Sequence, residues 1–209
     1  MSRWNKMLKI GVTGSAGSGK SLVCEGFRRM GLITLDCDEI ARQVVEPGQA
    51  AYNQVVTAFG PKIVASDLTL DRPALRRMIV TTKGSREKLE SILHPVIISE
   101  TVRQMDEAVH SKQKSCAVEV PLLFELGMEN LFDVIVVVAA ADSTLVDRIA
   151  GRDGVGRESA QKLLAIQMPQ SEKIQKADYV IENRGEPEAV FKSVGVLYRK
   201  LVNQRLTKK

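Results

Sequence analysis

The stretch Gly14-Ser15-Ala16-Gly17-Ser18-Gly19-Lys20-Ser21 decides how the rest of this chain is interpreted. It has the spacing Gly, four residues, Gly, Lys, Ser, and it lies between an apolar run, 8–13, and a helical pattern, 22–30. A strand, a loop and a helix with this spacing form the phosphate-binding loop (P-loop), in which glycines let successive backbone N–H groups converge on one anion. The following helix adds the positive end of its dipole. The motif predicts that this protein binds a nucleoside triphosphate.

Two side chains of the P-loop have predicted roles. Lys20 is placed to reach the β- and γ-phosphates, and the Ser21 hydroxyl is placed to bind Mg²⁺. We expect Lys20 to be exposed towards the nucleotide. The alternative is a glycine-rich turn that binds nothing, but three glycines, a lysine and a serine in register disfavour it.

The composition is that of an ordinary globular protein. The 209 residues are 44% hydrophobic and 26% charged, which suits one core domain spanning 1–209. The net charge of +5 comes without a long basic run, so we expect no nucleic-acid partner. Three cysteines without paired spacing predict reduced thiols rather than a disulfide framework or a zinc site. With no signal-peptide core or membrane-length apolar run, we expect a cytoplasmic protein without membrane contact, as a monomer or small homo-oligomer.

Strands alternate with helices along the chain, which predicts an α/β fold with a parallel sheet and helices on both faces. Five strands are expected, at 8–13, 32–35, 116–120, 133–138 and 178–181. The continuous β-branched run at 133–138 is typical of a central strand that is covered on both faces. With the P-loop after its first strand, the fold class is that of the P-loop nucleoside-triphosphate hydrolases.

The pattern from 39 to about 110 is almost wholly helical. Breaks between its predicted helices lie at 47–48, 60–61 and 94–95. Asp71 is a suitable N-cap for the third helix, and Pro95 is expected to open the last one. We interpret 39–110 as an inserted helical subdomain that binds the second substrate.

A second helical excursion covers about 142–170. Asp142 is expected to cap its first helix, which carries Arg148 and Arg152 one turn apart and therefore on one face. A second short helix is predicted over 158–168. We interpret this segment as a lid that closes over phosphates, although a solvated helix face would be equally consistent with the two arginines.

Two acidic residues, Asp36 and Asp38, follow the second predicted strand. The carboxyl ends of parallel strands meet at the sheet edge where ligands bind, so both are candidates for chemistry. Either could instead cap the next helix. If the chain is extended here, their side chains point to opposite faces and only one faces the nucleotide.

The P-loop by itself does not select a reaction. A GTPase would carry a base-reading Asn-Lys-x-Asp motif, which this chain lacks, and a motor ATPase would end a strand in adjacent acids where this chain has Ala139-Ala140-Ala141. A small-molecule kinase needs an acceptor base, an acceptor pocket and cationic groups around the transferred phosphoryl group. Asp38, the helical insertion and the lid arginines fit those needs.

Several motifs together resemble the dephospho-CoA kinase family. They are Asp36-Cys37-Asp38-Glu39-Ile40-Ala41-Arg42, Leu93-His94-Pro95, Val120-Pro121-Leu122-Leu123-Phe124-Glu125, Arg148 with Arg152-Asp153-Gly154, Gln167, and the Asn183-x-Gly185 turn. The resemblance covers essentially 8–206. It implies transfer of the ATP γ-phosphate to the 3′-hydroxyl of dephospho-CoA, with ATP and dephospho-CoA as substrates and Mg²⁺ as the cofactor.

The resemblance also implies roles for individual residues. Asp38 would be the base, and Lys20 and Arg148 would complete the catalytic set. The implied ATP-binding residues are Gly14, Ala16, Gly17, Ser18, Gly19, Lys20, Ser21, Leu22, Arg152, Asn183 and Gly185, with Ser21 also the metal ligand. The implied acceptor-binding residues are Thr13, Asp38, Arg42, His94, Pro121, Leu122 and Leu123. Without the resemblance, His94 would be interpreted as a helix-end histidine.

The sequence leaves some alternatives open. Ala139 stands where the family commonly has an aspartate, so either Glu119 or Asp36 could be the carboxylate that helps to bind Mg²⁺. The acceptor could be another small molecule, such as a nucleoside or nucleotide. The chain could also be a non-catalytic ATP-dependent switch, which would release no ADP in response to an acceptor.

Overall fold

The computed structural model of this chain describes residues 7–110 and 115–207. These residues form two compact units. The sheet unit contains the described residues up to Asp36 and from Met105 onwards, and the helical unit is Cys37–Gln104. The helical unit overlaps the helical insertion predicted at about 39–110 and ends earlier, at Gln104.

The sheet unit is built on a parallel sheet. Its strands are β1 (Leu8–Thr13), β2 (Ile33–Asp36), β3 (Ser115–Glu119), β4 (Val134–Ala139) and β5 (Tyr179–Glu182). They are arranged in the order β2-β3-β1-β4-β5, and every neighbouring pair is parallel. The carboxyl ends of all these strands therefore lie at one edge, where the P-loop follows β1.

The described helices are α1 (Lys20–Arg29), α2 (Cys37–Gln43), α3 (Ala50–Phe59), α4 (Arg72–Thr81), α5 (Ser85–His110), α6 (Asp142–Asp153), α7 (Arg157–Ala165), α8 (Gln170–Gln175) and α9 (Pro187–Thr207). Short 3₁₀ turns lie at Pro61–Ile63 and Glu129–Leu131. The core of the sheet unit joins the sheet to α1 and α9, with fully buried side chains such as Ile10, Phe27 and Val194. No helix within the described ranges combines the length and apolar character needed to cross a bilayer.

The helical unit has a core of its own. Its buried side chains include Ile40, Val55, Ile63 and Leu75, which come from successive elements. Asp71 caps α4 as predicted, because its carboxylate accepts a hydrogen bond from the backbone N–H of Ala74 at 2.8 Å.

The prediction of two helices separated at Pro95 was wrong, since α5 runs from Ser85 to His110 with Pro95 inside it. A proline in a helix removes the hydrogen bond to the carbonyl of residue 91 and disfavours continuation. Leu93 and Val96, on either side of the proline, both pack against the core of the helical unit. Tertiary packing therefore outweighs the local preference.

Three smaller corrections concern helix ends. Ala141, not Asp142, is the N-cap of α6, and Asp142 lies in the first turn, where its charge still suits the helix dipole. The helix predicted over 158–168 ends at Ala165, and α8 begins at Gln170. The chain is not extended through Asp38, because α2 begins directly after β2, at Cys37.

Candidate active site

Glycine is required most strictly at two positions of the P-loop, where a side chain would also clash with neighbouring residues. The φ angles are +150° at Gly14 and +92° at Gly19, a region that residues with a side chain rarely adopt. A Cβ on Gly14 would lie 2.4 Å from the carbonyl oxygen of Val138, and a Cβ on Gly19 would lie 2.1 Å from Nδ2 of Asn183. The loop therefore packs closely against β4 and against the residue that follows β5.

Lys20 is buried at 8% exposure in the first turn of α1. Its ammonium group donates hydrogen bonds to the carbonyl oxygens of Gly14, at 3.2 Å, and Ser15, at 3.3 Å. The expectation of an exposed lysine was wrong, because the loop surrounds the ammonium group with its own carbonyls. The positive charge nevertheless lies within the loop whose N–H groups suit an anion.

Ser21 and Glu119 bring two side-chain oxygens together. The Ser21 hydroxyl donates a hydrogen bond to Oε1 of Glu119 at 3.1 Å, and Glu119 is buried at the end of β3. Asp36 lies opposite Glu119 in the β2–β3 register. Burial raises the pKa of the nearby Cys24 thiol, and the negative charges of Glu119 and then Asp36 raise it further. The Ser21 hydroxyl therefore contacts one buried carboxylate directly, with Asp36 next to that carboxylate on the neighbouring strand.

A hydrogen-bond network joins α6 and the end of β5 to the P-loop. Arg148 donates from Nη1 to the carbonyl of Gly17 at 3.1 Å and, at 3.5 Å, to that of Ser18. Its Nη2 donates to Oδ1 of Asn183 at 3.3 Å. Nδ2 of Asn183 donates to the Ser18 carbonyl at 2.8 Å, and Oδ1 accepts from the N–H of Gly185 at 3.1 Å. The structure thus brings four predicted ATP-binding residues and the predicted catalytic arginine together.

Arg152 has different surroundings from Arg148, although both lie on α6. Its guanidinium group binds Asp153 through two hydrogen bonds, of 2.7 and 3.0 Å, and its side chain is 64% exposed. The spacing of four residues predicted that Arg148 and Arg152 share one face of the helix, but their environments differ.

The segment after α7 also contacts the loop. Oε1 of Gln167 accepts a hydrogen bond from the N–H of Ala16 at 3.0 Å. The Gln170 side chain accepts a hydrogen bond from the N–H of Ala140 at 3.1 Å and donates one to the Ala140 carbonyl at 3.0 Å.

Leu22, another predicted ATP-binding residue, is half-buried on α1 beside the P-loop and packs against the core of the sheet unit.

Comparison with known proteins identifies the family. The family model for dephospho-CoA kinase (CoaE) matches residues 8–205. The chain belongs to the dephospho-CoA kinase family. A dephospho-CoA kinase of Geobacter metallireducens is 38% identical over 198 residues, which is 95% of this chain and 98% of that protein. A dephospho-CoA kinase of Geobacillus kaustophilus is 38% identical over 181 residues, or 87% of this chain and 90% of that protein.

Solved structures share this fold, and one of them is a dephospho-CoA kinase. TT1252 from Thermus thermophilus has a TM-score of 0.77 at 31% identity, covering 93% of this chain and 98% of its own. Dephospho-CoA kinase from Campylobacter jejuni has a TM-score of 0.70 at 26% identity, covering 92% and 96%. Shikimate kinase from Acinetobacter baumannii, at 14% identity and a TM-score of 0.54, shares only the fold. The predicted family and the predicted fold class are confirmed.

The acceptor residues predicted for this dephospho-CoA kinase family member lie in both units. In the sheet unit, the Thr13 hydroxyl donates to the carbonyl of Pro121 at 3.4 Å, Leu122 is half-buried and Leu123 is fully buried. In the helical unit, Asp38 is exposed in the first turn of α2. The other two are Arg42, which forms an exposed ion pair of 3.0 Å with Glu39, and His94, which is half-buried within α5.

One buried charged residue of this dephospho-CoA kinase fold is not predictable from the sequence. Lys173 on α8 is completely buried, and its ammonium group lies 2.9 Å from Oε1 of Glu125. A lone lysine in a short helix resembles any surface lysine, so no signal in the sequence marks it. Its partner Glu125 appeared only as part of a family motif.

Proposed function

We propose that this chain transfers the γ-phosphate of ATP to the 3′-hydroxyl of dephospho-CoA and so produces coenzyme A and ADP, the last step of coenzyme A biosynthesis. The observation that carries the proposal is the match to the dephospho-CoA kinase model over 8–205, combined with an intact P-loop that Arg148 contacts directly. The loop supplies the nucleotide site, and the family supplies the acceptor.

Phosphoryl transfer depends mainly on positioning and on charge stabilisation. Backbone N–H groups of the P-loop would bind the β- and γ-phosphates, and the Lys20 ammonium group lies within the same loop. Arg148 donates to the loop carbonyls at Gly17 and Ser18, so its guanidinium group would lie beside the phosphates of a nucleotide bound in the P-loop. Removing one such preorganised donor raises the free energy of the transition state by about 3–4 kcal/mol.

The residues at this site fit Mg²⁺. The cation prefers oxygen ligands and usually takes only one or two of them from the protein, with phosphates and water completing its shell. The Ser21 hydroxyl and the Glu119 carboxylate, 3.1 Å apart, provide such a pair, which supports Glu119 as the carboxylate that the sequence left open. No cluster of three or more potential metal-ligating side chains occurs in the described part of the chain. When bound, Mg²⁺ would neutralise charge on the β- and γ-phosphate oxygens.

Asp38 is proposed as the group that orients the acceptor hydroxyl and accepts its proton. Its side chain is exposed in the first turn of α2. Since the helix begins at Cys37, the argument from an extended chain no longer separates Asp38 from Asp36, and the choice depends on the family resemblance. A positioned base contributes on the order of 10²- to 10⁴-fold to the rate.

The function is tested by measuring ADP release from the purified protein with ATP, Mg²⁺ and a panel of acceptors: dephospho-CoA, a nucleoside, a nucleotide and no acceptor. Mass spectrometry then identifies the phosphorylated product. We expect rapid ADP release only with dephospho-CoA, and almost none from Lys20→Ala. Phosphorylation of the nucleoside instead would refute the proposed acceptor, and ATP binding without acceptor-dependent ADP release would indicate a switch.

The base is tested with Asp38→Asn and the matched variant Asp36→Asn. Asn at position 38 preserves size and one oxygen but cannot take the proton, so kcat should fall strongly while the KM for ATP stays near that of the wild type. Asp36→Asn should have the smaller effect on kcat. The reverse order of effects would reassign the base to Asp36, and loss of ATP binding in Asp38→Asn would place Asp38 at the metal.

A further inference from the structure

Lys173 on α8 is the most deeply buried charged side chain that the structure describes, with 0% exposure. Removing an ammonium group from water is costly unless hydrogen bonds and an opposite charge compensate for the loss. An apolar side chain could occupy this buried position of α8 without that cost. The lysine therefore has partners that account for its burial.

Those partners lie in the turn that follows β3. The Lys173 ammonium group is 2.9 Å from Oε1 of Glu125 and donates to the carbonyl of Pro121 at 3.3 Å. The same Glu125 oxygen accepts from the N–H of Met168 at 3.1 Å, and the same Pro121 carbonyl accepts from the Thr13 hydroxyl at 3.4 Å. The ammonium group thus joins α8 to the turn 121–125, and its two acceptors in that turn also bond Thr13 at the end of β1 and Met168 before α8.

That segment also contacts the P-loop, through a bond in which Lys173 takes no part. Gln167, next to Met168, accepts from the N–H of Ala16 at 3.0 Å. Segment 167–173 therefore contacts the P-loop through Gln167, and it contacts the turn 121–125 through Met168 and Lys173. The two contacts use different side chains, so they can be removed one at a time.

We propose that Lys173 is a positioning residue that fixes the turn 121–125 in the conformation that binds the acceptor. The inference rests on the proposed function, because the roles of Pro121, Leu122 and Leu123 in binding dephospho-CoA come from the family resemblance. Leu123 is anchored by full burial, whereas Pro121 and Leu122 are only half-buried. At the start of the turn, the carbonyl of Pro121 accepts hydrogen bonds from Thr13 and from Lys173. Lys173 acts through Pro121 and Glu125 and does not itself contact substrate.

The test is Lys173→Met, which preserves the length of the side chain and removes the charge. Displacement of a binding segment by about 1 Å can cost on the order of 10²-fold. We therefore expect the KM for dephospho-CoA to rise roughly 10-fold or more, with a lower kcat. The KM for ATP should stay within about two-fold, because the Gln167–Ala16 bond does not involve the ammonium group.

Two further variants complete the experiment. Lys200→Met is the matched control, since Lys200 is exposed on α9 and lies over the Tyr179 ring at 4.9 Å, outside the turn 121–125; both KM values should be unchanged. Glu125→Gln preserves an oxygen for the Met168 N–H and removes only the charge. Because the glutamine oxygen can still accept a hydrogen bond from the Lys173 ammonium group, this variant should fold, at a lower melting temperature, even if Lys173→Met does not. It should raise the same KM, because the contact between Lys173 and the turn is weakened.

Several outcomes would overturn the inference. If the acceptor KM stays at the wild-type value in either folded variant while the melting temperature falls, Lys173 is only structural. If the KM values for ATP and dephospho-CoA rise in parallel, its effect is not specific to the acceptor turn. A wild-type protein that does not phosphorylate dephospho-CoA refutes the proposed function itself, and the wild-type measurement detects that failure separately.

Discussion

Replacing Asn183 with alanine would remove the amide that connects the end of β5 to the P-loop. Asn183 is buried at 3% exposure. Its Nδ2 donates to the Ser18 carbonyl at 2.8 Å, and its Oδ1 accepts from Gly185 at 3.1 Å and from Arg148 at 3.3 Å. The truncation deprives all three partners of this amide at once.

The magnitude of the effect follows from the exposure of those partners. Gly185 is exposed and Arg148 is half-buried, so water can replace much of what they lose. Ser18 is buried, and within the described part of the chain its carbonyl would retain the 3.5 Å contact to Arg148 as its remaining side-chain partner. A buried acceptor without a good partner costs about 1–3 kcal/mol, which gives an expected loss of about 2 kcal/mol in the free energy of unfolding. For a chain of this size, that loss lowers the melting temperature by about 4–8 °C.

Asn183→Ala should also weaken nucleotide binding, because both the loop carbonyl and the Arg148 guanidinium group lose a fixed contact. If half to all of the expected loss is expressed in binding, the KM for ATP rises roughly 5- to 30-fold. Calorimetric melting and steady-state ADP release measure the two effects, with Asn130→Ala, an exposed asparagine, as the control. A melting temperature within about 1 °C of the wild type, together with an unchanged KM, would refute this account of the network.

Three further predictions concern stability and the thiols. Nothing lies within 4 Å of the position of a Cβ on Gly195 in α9, so Gly195→Ala should raise the free energy of unfolding by about 0.5–1 kcal/mol, and a lower melting temperature would contradict this. Burial raises the pKa of the Cys116 thiol to about 11, and the other two cysteines are also buried, so a thiol reagent at pH 8 should find all three unreactive until the protein is denatured. The side-chain hydrogen bond from Arg103 lowers the pKa of Glu100 from 4.5 to about 2, so the pair stabilises the fold above pH 4.5 and loses this contribution as the pH falls towards 2. Denaturant titrations at pH 6 and pH 3 should therefore show that Glu100→Gln loses less stability on acidification than the wild type, by about 0.5 kcal/mol.

Local sequence patterns were sufficient for most of the sheet. The β-branched run that predicted β4 lies in a strand whose side chains are almost all buried, and the glycine spacing of the P-loop specifies its own backbone. Pattern reasoning failed where tertiary packing opposed a local preference. Pro95 should end a helix, yet the apolar side chains on both sides of it pack against one core and the helix continues.

The site was harder to predict than the fold, and the two lid arginines show the reason. Their spacing of four residues predicts the same helix face for both. In the structure, Arg148 contacts the P-loop, whereas Arg152 pairs with Asp153 on an exposed surface. What separates them is the position of α6 relative to a loop 130 residues earlier in the chain. Helical periodicity carries no information about such distant partners.

The cations at this site donate mainly to backbone carbonyls, which explains why a motif search finds one and misses another. Lys20 donates to Gly14 and Ser15, Arg148 donates to Gly17 and Ser18, and Lys173 donates to Pro121. Any residue supplies a carbonyl oxygen, so the sequence at the accepting position does not reveal the contact. Lys20 is recognisable because the glycines around it have a spacing of their own, whereas the carbonyl that binds Lys173 lies 52 residues away. It follows that replacing the donor side chains Lys20, Arg148 or Lys173 should lower the rate of ADP release far more than replacing Ser15 with alanine, because the Ser15 carbonyl would remain.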